Sequence, residues 1–157
     1  MSSVTFLSID PGGTPSAAGS RSATGWSLWE LPDDAPISVI EHGQVPGNEH
    51  RFAPWFRWAM AEYGFDRVVS ESFRLDDRTR FPDVTPLKIE GVLAALWGDR
   101  VIFQPNTAKS ALPDEKAKAL GFWWKGQPHS VDSARHAFFY ARSIRHIPTM
   151  KLLSGRK

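Results

Sequence analysis

Val4 to Asp10 reads VTFLSID and runs directly into Pro11, Gly12 and Gly13. Its β-branched and aromatic residues specify a strand and the Pro-Gly-Gly breaks it. The strand therefore ends on a carboxylate, Asp10, placed at the edge of an apolar run. Residues 12–25 (GGTPSAAGSRSATG) are small and without periodicity, which reads as a long mobile loop. Two more β-like runs follow, Thr24–Glu30 (TGWSLWE) and Ile37–Val45 (ISVIEHGQV), separated by LPDDAP as a turn. Three such runs in succession predict an antiparallel meander.

Downstream the periodicity changes. Phe52, Trp55, Phe56, Ala59, Met60 and Tyr63 recur at helical spacing, and Gly64 can end that helix. Asp66–Phe73 (DRVVSESF) reads as a fourth strand and RLDDRTRFPD, residues 74–83, as an exposed loop. Thr85 and Pro86 are read as N-cap and first residue of a helix carrying Ile89, Val92, Leu93, Leu96 and Trp97 up to Gly98. Arg100–Gln104 (RVIFQ) supplies a fifth strand. One or two short helices punctuated by Pro113 follow, and a last helix starts near Pro128 with Val131, Ala134, Phe138 and Ala141 on one face. Antiparallel strands followed by alternating helices and strands predict an α/β fold, a five-stranded mixed sheet with helices on its faces.

The chain has 157 residues, enough for one domain with one core, and its 41% hydrophobic and 23% charged residues are those of a globular protein. Residues 1–157 are read as a single domain with a basic tail from about residue 146. No apolar run reaches the roughly 18 residues needed to cross a bilayer, and the start lacks the order of a signal peptide, so a cytoplasmic protein with no membrane partner is expected. There is no cysteine. Any metal must then be held by carboxylates, carbonyls or histidines, which favours hard ions such as Mg²⁺. Charge is unevenly spread. Residues 1–50 hold six acids against Arg21, whereas residues 135–157 hold six Lys or Arg and no acid. A basic arm of this kind suits a partner bearing phosphates.

Four residues stand out by position. Asp10 and Glu71 lie in strands expected to be central, where a carboxylate is costly unless paired or metal-bound. His129 and Asp132 are three apart at the start of the last helix, hence on one face, and His136 shares that face. Two acids on neighbouring strands and a third on a helix over the sheet can converge on a divalent pair.

The ordered set LSIDPGG, TGWSLWE, VVSES and PHSVDSARHAFFYAR resembles the ribonuclease H-like (retroviral integrase) superfamily, and within it the RuvC-type Holliday junction resolvases, phage-encoded ones in particular. The resemblance runs across essentially the whole chain. LKIEGVLAALWG falls where that family has its dimer-forming helix, and RVIFQPNTAKSAL where it has its fifth strand and a lysine. It implies a nuclease that cuts four-way and other branched DNA in the cytoplasm of a bacterial host, as a homodimer, with two Mg²⁺ ions or Mn²⁺ in their place and no small-molecule cofactor. Asp10 would bridge the ions, with Glu71 and Asp132 binding one each. His129 stands where many relatives have an acid, so it is expected to ligate metal, orient water or accept a proton. Lys109 would neutralise charge at the scissile phosphate, and Phe73 is the candidate for an aromatic inserted at the junction centre. DNA would be held by Arg74, Arg78, Arg80, Lys116, Lys118, Lys125, Arg135, Arg142 and Arg145 through its backbone. Three alternatives stay open: a terminase-like, YqgF-like or RNA-cleaving nuclease of the same fold, a non-catalytic junction-binding module, and an actin-like ATP-binding protein, for which one domain is too small.

Overall fold

The computed structural model describes residues 3–12, 23–74 and 83–155. The expected order of elements is present: β1 (Val4–Asp10), β2 (Ala23–Leu31), β3 (Ser38–Pro46), α1 (Glu49–Tyr63), β4 (Arg67–Glu71), α2 (Thr85–Trp97) and β5 (Ile102–Gln104). A 3₁₀ turn (Asn106–Ala111), α3 (Asp114–Leu120), α4 (Pro128–Ser143) and α5 (Ile147–Ser154) complete the described chain. The strands form one mixed sheet in the order β3-β2-β1-β4-β5, antiparallel through the meander and parallel where β1 meets β4 and β4 meets β5.

Strand alternation divides the interior in two. Leu7 and Ile9 of β1 and Leu28 of β2 join Phe52, Phe56 and Ala59 of α1 and Ile89 and Leu93 of α2 in one core. Phe6, Trp29 and Val69 join Leu112, Ala117, Ala134, Ala137, Phe138 and Leu153 in the other, under α3, α4 and α5. β1 and β4 are thus covered on both sides, and Ser8 and Asp10 on β1 have the parity of Phe6, toward α4.

Small side chains let α4 approach the sheet closely. Ser130, Ser133, Ala134, Ala137 and Ala141 are all buried. The buried hydroxyls are satisfied across the interface, since unpaired they would each cost about 1–3 kcal/mol. Ser8 Oγ donates to the Ser133 carbonyl at 2.7 Å, the Ser27 and Ser133 hydroxyls pair at 2.8 Å, and Ser130 Oγ donates to the Trp26 carbonyl at 3.1 Å.

The structure corrects several boundaries. β2 starts one residue before the expected Thr24, at Ala23, because pairing with β3 extends through Ala23 and Pro46. β4 stops at Glu71, so Ser72 and Phe73 lie beyond the strand, and β5 begins only at Ile102. Thr85 is inside α2 rather than capping it, and its N–H is accepted by Asp83 Oδ1 at 2.9 Å. The tail also differs from a free arm: residues 147–154 form α5, whose Thr149 and Leu153 are buried. His146 fixes its start by bonding Thr149 Oγ1 at 2.7 Å and the Pro32 carbonyl at 2.5 Å.

Candidate active site

Asp10 is opposite Gly25 on β2, and Ile9 is opposite Ser70 on β4, so Asp10 and Glu71 are one step further along the same parallel pair. Glu71 in turn is opposite Gln104 on β5. Asp10, Glu71 and Gln104 therefore form a row at the carboxyl ends of the three parallel strands, where open α/β sheets place their ligands. α4 brings His129 and Asp132 over that row from above, and the 3₁₀ turn brings Lys109 from the side.

The Lys109 ammonium is the point on which the acids converge. Its Nζ lies 3.5 Å from Asp10 Oδ1, 3.4 Å from Glu71 Oε2 and 3.3 Å from Asp132 Oδ2. His129 Nδ1 is 3.2 Å from the other Asp10 oxygen. Arg135 steadies Asp132, with Nη1 2.7 Å from Asp132 Oδ1 and Nε donating to the Leu112 carbonyl at 2.9 Å.

Electrostatics follow from this crowding. Burial pushes the Asp10 carboxyl up to about 7, against the His129 hydrogen bond and the Lys109 charge, while its neighbour Glu71 raises it further. Burial acts on Glu71 in the same upward sense, but the neighbouring His136 and Asp10 side chains and the Lys109 charge overcome it and bring Glu71 down to about 2. The two neighbouring carboxyls are thus driven apart, Asp10 upward and Glu71 downward. Burial opposes the charged form of Lys109, yet Asp10, Asp132 and Glu71 outweigh it and hold the ammonium above its ordinary value. His129 is raised by its hydrogen bond to Asp10.

This donor set fits a hard divalent ion. Three carboxylates at one point, one of them buried, are oxygen donors of the kind Mg²⁺ takes, and the lysine already there marks the position of a positive charge. The imidazole of His129 beside them also suits Mn²⁺. Asp10, Glu71 and His136 further present ligand-type atoms within 4.8 Å of one another.

All five residues expected to carry chemistry, Asp10, Glu71, Lys109, His129 and Asp132, therefore meet in one place. The expected DNA contacts are scattered. Arg74, Lys118 and Lys125 are exposed, with Lys118 Nζ 4.7 Å above the Trp123 ring. Phe73 is half-buried, its N–H bonded to Glu90 Oε1. Arg78 and Arg80 lie outside the described residues. Two assignments change. Arg135 is turned inward onto Asp132, Asp114 and the Leu112 carbonyl, so it positions a site carboxylate instead of facing a ligand. Lys116 spends its ammonium on the Leu153 carbonyl and ties α3 to α5.

Other site residues were not visible from sequence. Gln44 on β3 accepts from the backbone N–H of His129 at 2.9 Å and of Ser130 at 3.4 Å, capping α4 from another element. His42, two residues earlier, bonds Gln127 at 2.9 Å and stacks on Trp124 with ring centroids 3.8 Å apart. Gly25 is required by the same approach: a Cβ there would sit 2.0 Å from the carbonyl carbon and oxygen of His129. Gln104 joins the fully buried His136, which sequence had already put on the face of Asp132, in completing the row beside Glu71. The alternation of His42 and Gln44 on one strand face was the available signal, but nothing local says what they reach.

No protein-family model and no curated protein sequence matches this chain. Solved structures do. RuvC of Thermus thermophilus in complex with Holliday junction substrate is 17% identical over 89% of this chain and 96% of that one, with a TM-score of 0.65. A second Thermus thermophilus RuvC structure is 16% identical over the same shares, with a TM-score of 0.63. Fowlpox virus resolvase in complex with substrate Holliday junction DNA is 12% identical over 90% of this chain and 99% of that one, with a TM-score of 0.53. The strand order, the antiparallel start and the helices on both faces are those of these structures, and the chain has the RuvC-type ribonuclease H-like fold.

Proposed function

We propose that the chain is a divalent-metal-dependent endonuclease that resolves four-way and other branched DNA junctions, acting in the cytoplasm as a homodimer. The observation that carries this reading is the convergence of Asp10, Glu71 and Asp132 on the Lys109 ammonium at the carboxyl ends of the parallel strands. Two solved structures of this fold contain Holliday junction DNA, which supports the choice of substrate.

Asp10, Glu71, Asp132 and His129 would hold two ions, Mg²⁺ by preference. Such a pair supplies a nucleophile at neutral pH and a charge sink for the leaving 3′-oxygen. The protein supplies the rest. Asp10, nearly enclosed, is held between strands and His129, so the ligand set is pre-formed and loses little entropy on binding. Lys109 offers its charge to the phosphate, where charge builds in the transition state. His129, with Nδ1 on Asp10, has its Nε2 lone pair for one task, to bind an ion or to take a proton from water. Arg74, Lys118 and Lys125 would hold the DNA backbone, together with Arg78 and Arg80, and Phe73 would meet the junction centre.

The test is cleavage of a labelled four-way junction beside linear duplex, a replication fork and an RNA–DNA hybrid, with Mg²⁺, Mn²⁺ or EDTA. We expect paired symmetric nicks that need metal. Asp10→Asn should lower the rate by at least about a thousandfold, the loss of several kcal/mol of stabilisation at the metals. Junction binding by that variant should be kept or improved, since a negative charge near phosphate is removed. Cutting of the hybrid or of plain duplex would assign the same site to a general nuclease. Tight junction binding without any cutting would make the protein a structural module.

A further inference from the structure

His136 lies on α4 one turn beyond Asp132, fully buried, and its Nε2 has no hydrogen-bond partner among the described residues. A buried orphan nitrogen costs stability, so its direction carries information. Nε2 points to Glu71 Oε2 at 3.8 Å, the oxygen that also faces Lys109 at 3.4 Å. The other side of the ring is held by Gln104. The Gln104 amide nitrogen donates to the His136 backbone carbonyl at 2.9 Å, and because that carbonyl only accepts, the nitrogen and not the oxygen of the amide must be turned this way. The same NH₂ group is 3.2 Å from His136 Nδ1. Facing a donor, Nδ1 must be the acceptor, and the proton of the neutral ring therefore sits on Nε2, aimed at Glu71.

We propose that Gln104 and His136 form a buried positioning relay for the metal-binding carboxylate Glu71. Gln104 sets the tautomer of His136, and the Nε2–H, 3.8 Å from Oε2 of Glu71, orients that carboxylate for the ion. This rests on the reading of Asp10, Glu71 and Asp132 as a metal centre. It also decides what His136 is not: though it lies in a cluster with ligand-type spacing, a protonated Nε2 has no lone pair to give. Carboxylate ligands commonly need such an outer partner, and its loss costs about 10–100-fold in metal affinity. Gln104 is opposite Glu71 in the β4–β5 ladder, so strand register delivers both ends of the relay.

The experiment measures Mn²⁺ binding to the full chain by the loss of the free-ion paramagnetic signal, with no DNA present. His136→Leu should weaken binding about 10–100-fold. His136→Gln, whose amide nitrogen reaches to about where Nε2 stood, should recover most of it, and Gln104→Leu should fall between. Asp10→Asn serves as the control for the centre itself. If Asp10→Asn matches wild type, or wild type binds no Mn²⁺, the metal-centre reading fails and the relay with it. If Asp10→Asn loses binding while a folded His136→Leu retains it, only the relay is overturned. Should His136→Leu not fold, the nitrogen chemical shifts of His136 in the metal-free wild type decide: a proton on Nε2 supports the relay, and a proton on Nδ1 overturns it.

Discussion

Asp10 is a nearly enclosed carboxylate whose neighbours are another carboxylate, an ammonium and an imidazole, and its protonation links the site to the stability of the fold. Because burial raises it from 3.8 to about 7, the native state keeps that proton at pH values where the unfolded chain has released it. Its contribution to stability is fully present below about pH 4 and is lost as pH rises towards about 7. His129, raised by the same contact, adds to the fall at the upper edge of this window. Glu71 behaves oppositely, contributing above its ordinary 4.5 and losing that contribution only as pH falls through about 2. In EDTA, the melting temperature of wild type should therefore decline between pH 4 and 7 relative to Asp10→Asn, whose amide stays neutral. Asp10→Asn should be the more stable of the two at pH 8, and millimolar Mg²⁺ should rescue wild type alone. Parallel melting curves across that range would show that Asp10 carries no such penalty.

At the scale of elements, the site depends on how α4 meets the meander. Its first helical N–H groups are satisfied by Gln44, and its backbone passes so near β2 that only glycine fits at residue 25. The two contacts make separate predictions. Gln44→Leu removes a cap worth about 0.5–2 kcal/mol, so the variant should fold with a lower melting temperature and cut more slowly, as His129 loses its anchor. Gly25→Ala forces backbone against backbone and should cost at least about 1–3 kcal/mol, with cleavage lost before the fold is. A Gly25→Ala protein that melts and cuts like wild type would mean α4 can move off the sheet without cost. Amphipathic spacing revealed that α1, α2 and α4 are helices, and β composition revealed the strands. The caps of α2 and α4 were not legible, because Asp83 and Gln44 act from outside the expected cap position or from another strand.

At the scale of the molecule, a four-way junction has two-fold symmetry, and two matched nicks call for two sites related by the same symmetry. The outward face of α2 suits such a pairing. Leu87 is exposed, and Gly91 and Ala94 follow it at i+4 and i+7, so a second helix could pack closely there. If the proposed homodimer forms through this face, Leu87→Glu should give a monomer by light scattering at micromolar concentration, and turn paired resolution into single nicking while leaving Mn²⁺ binding intact. A wild type that is monomeric with and without junction would count against the resolvase reading.

What the sequence determined by itself was the order of elements and the identity of the chemistry-bearing residues. Periods of 2 and 3.6 are local properties, and a carboxylate set into an apolar strand is conspicuous wherever it ends up. The resemblance of four ordered motifs then named the fold that TM-scores of 0.65 and 0.53 support. Tertiary structure decided the rest. It turned Arg135 from an expected DNA contact into a brace for Asp132, docked residues 147–154 through Thr149 and Leu153, and placed Gln44, Gln104 and His136 around the acids. These outcomes depend on partners from 3 to 112 residues away, among them Asp132 for Arg135 and Ile37 for Thr149. A basic side chain on a helix has the same local pattern whether it faces solvent or a buried carboxylate. Which of the two it meets is settled by sheet register and by how closely α4 packs, and neither is written in any one segment.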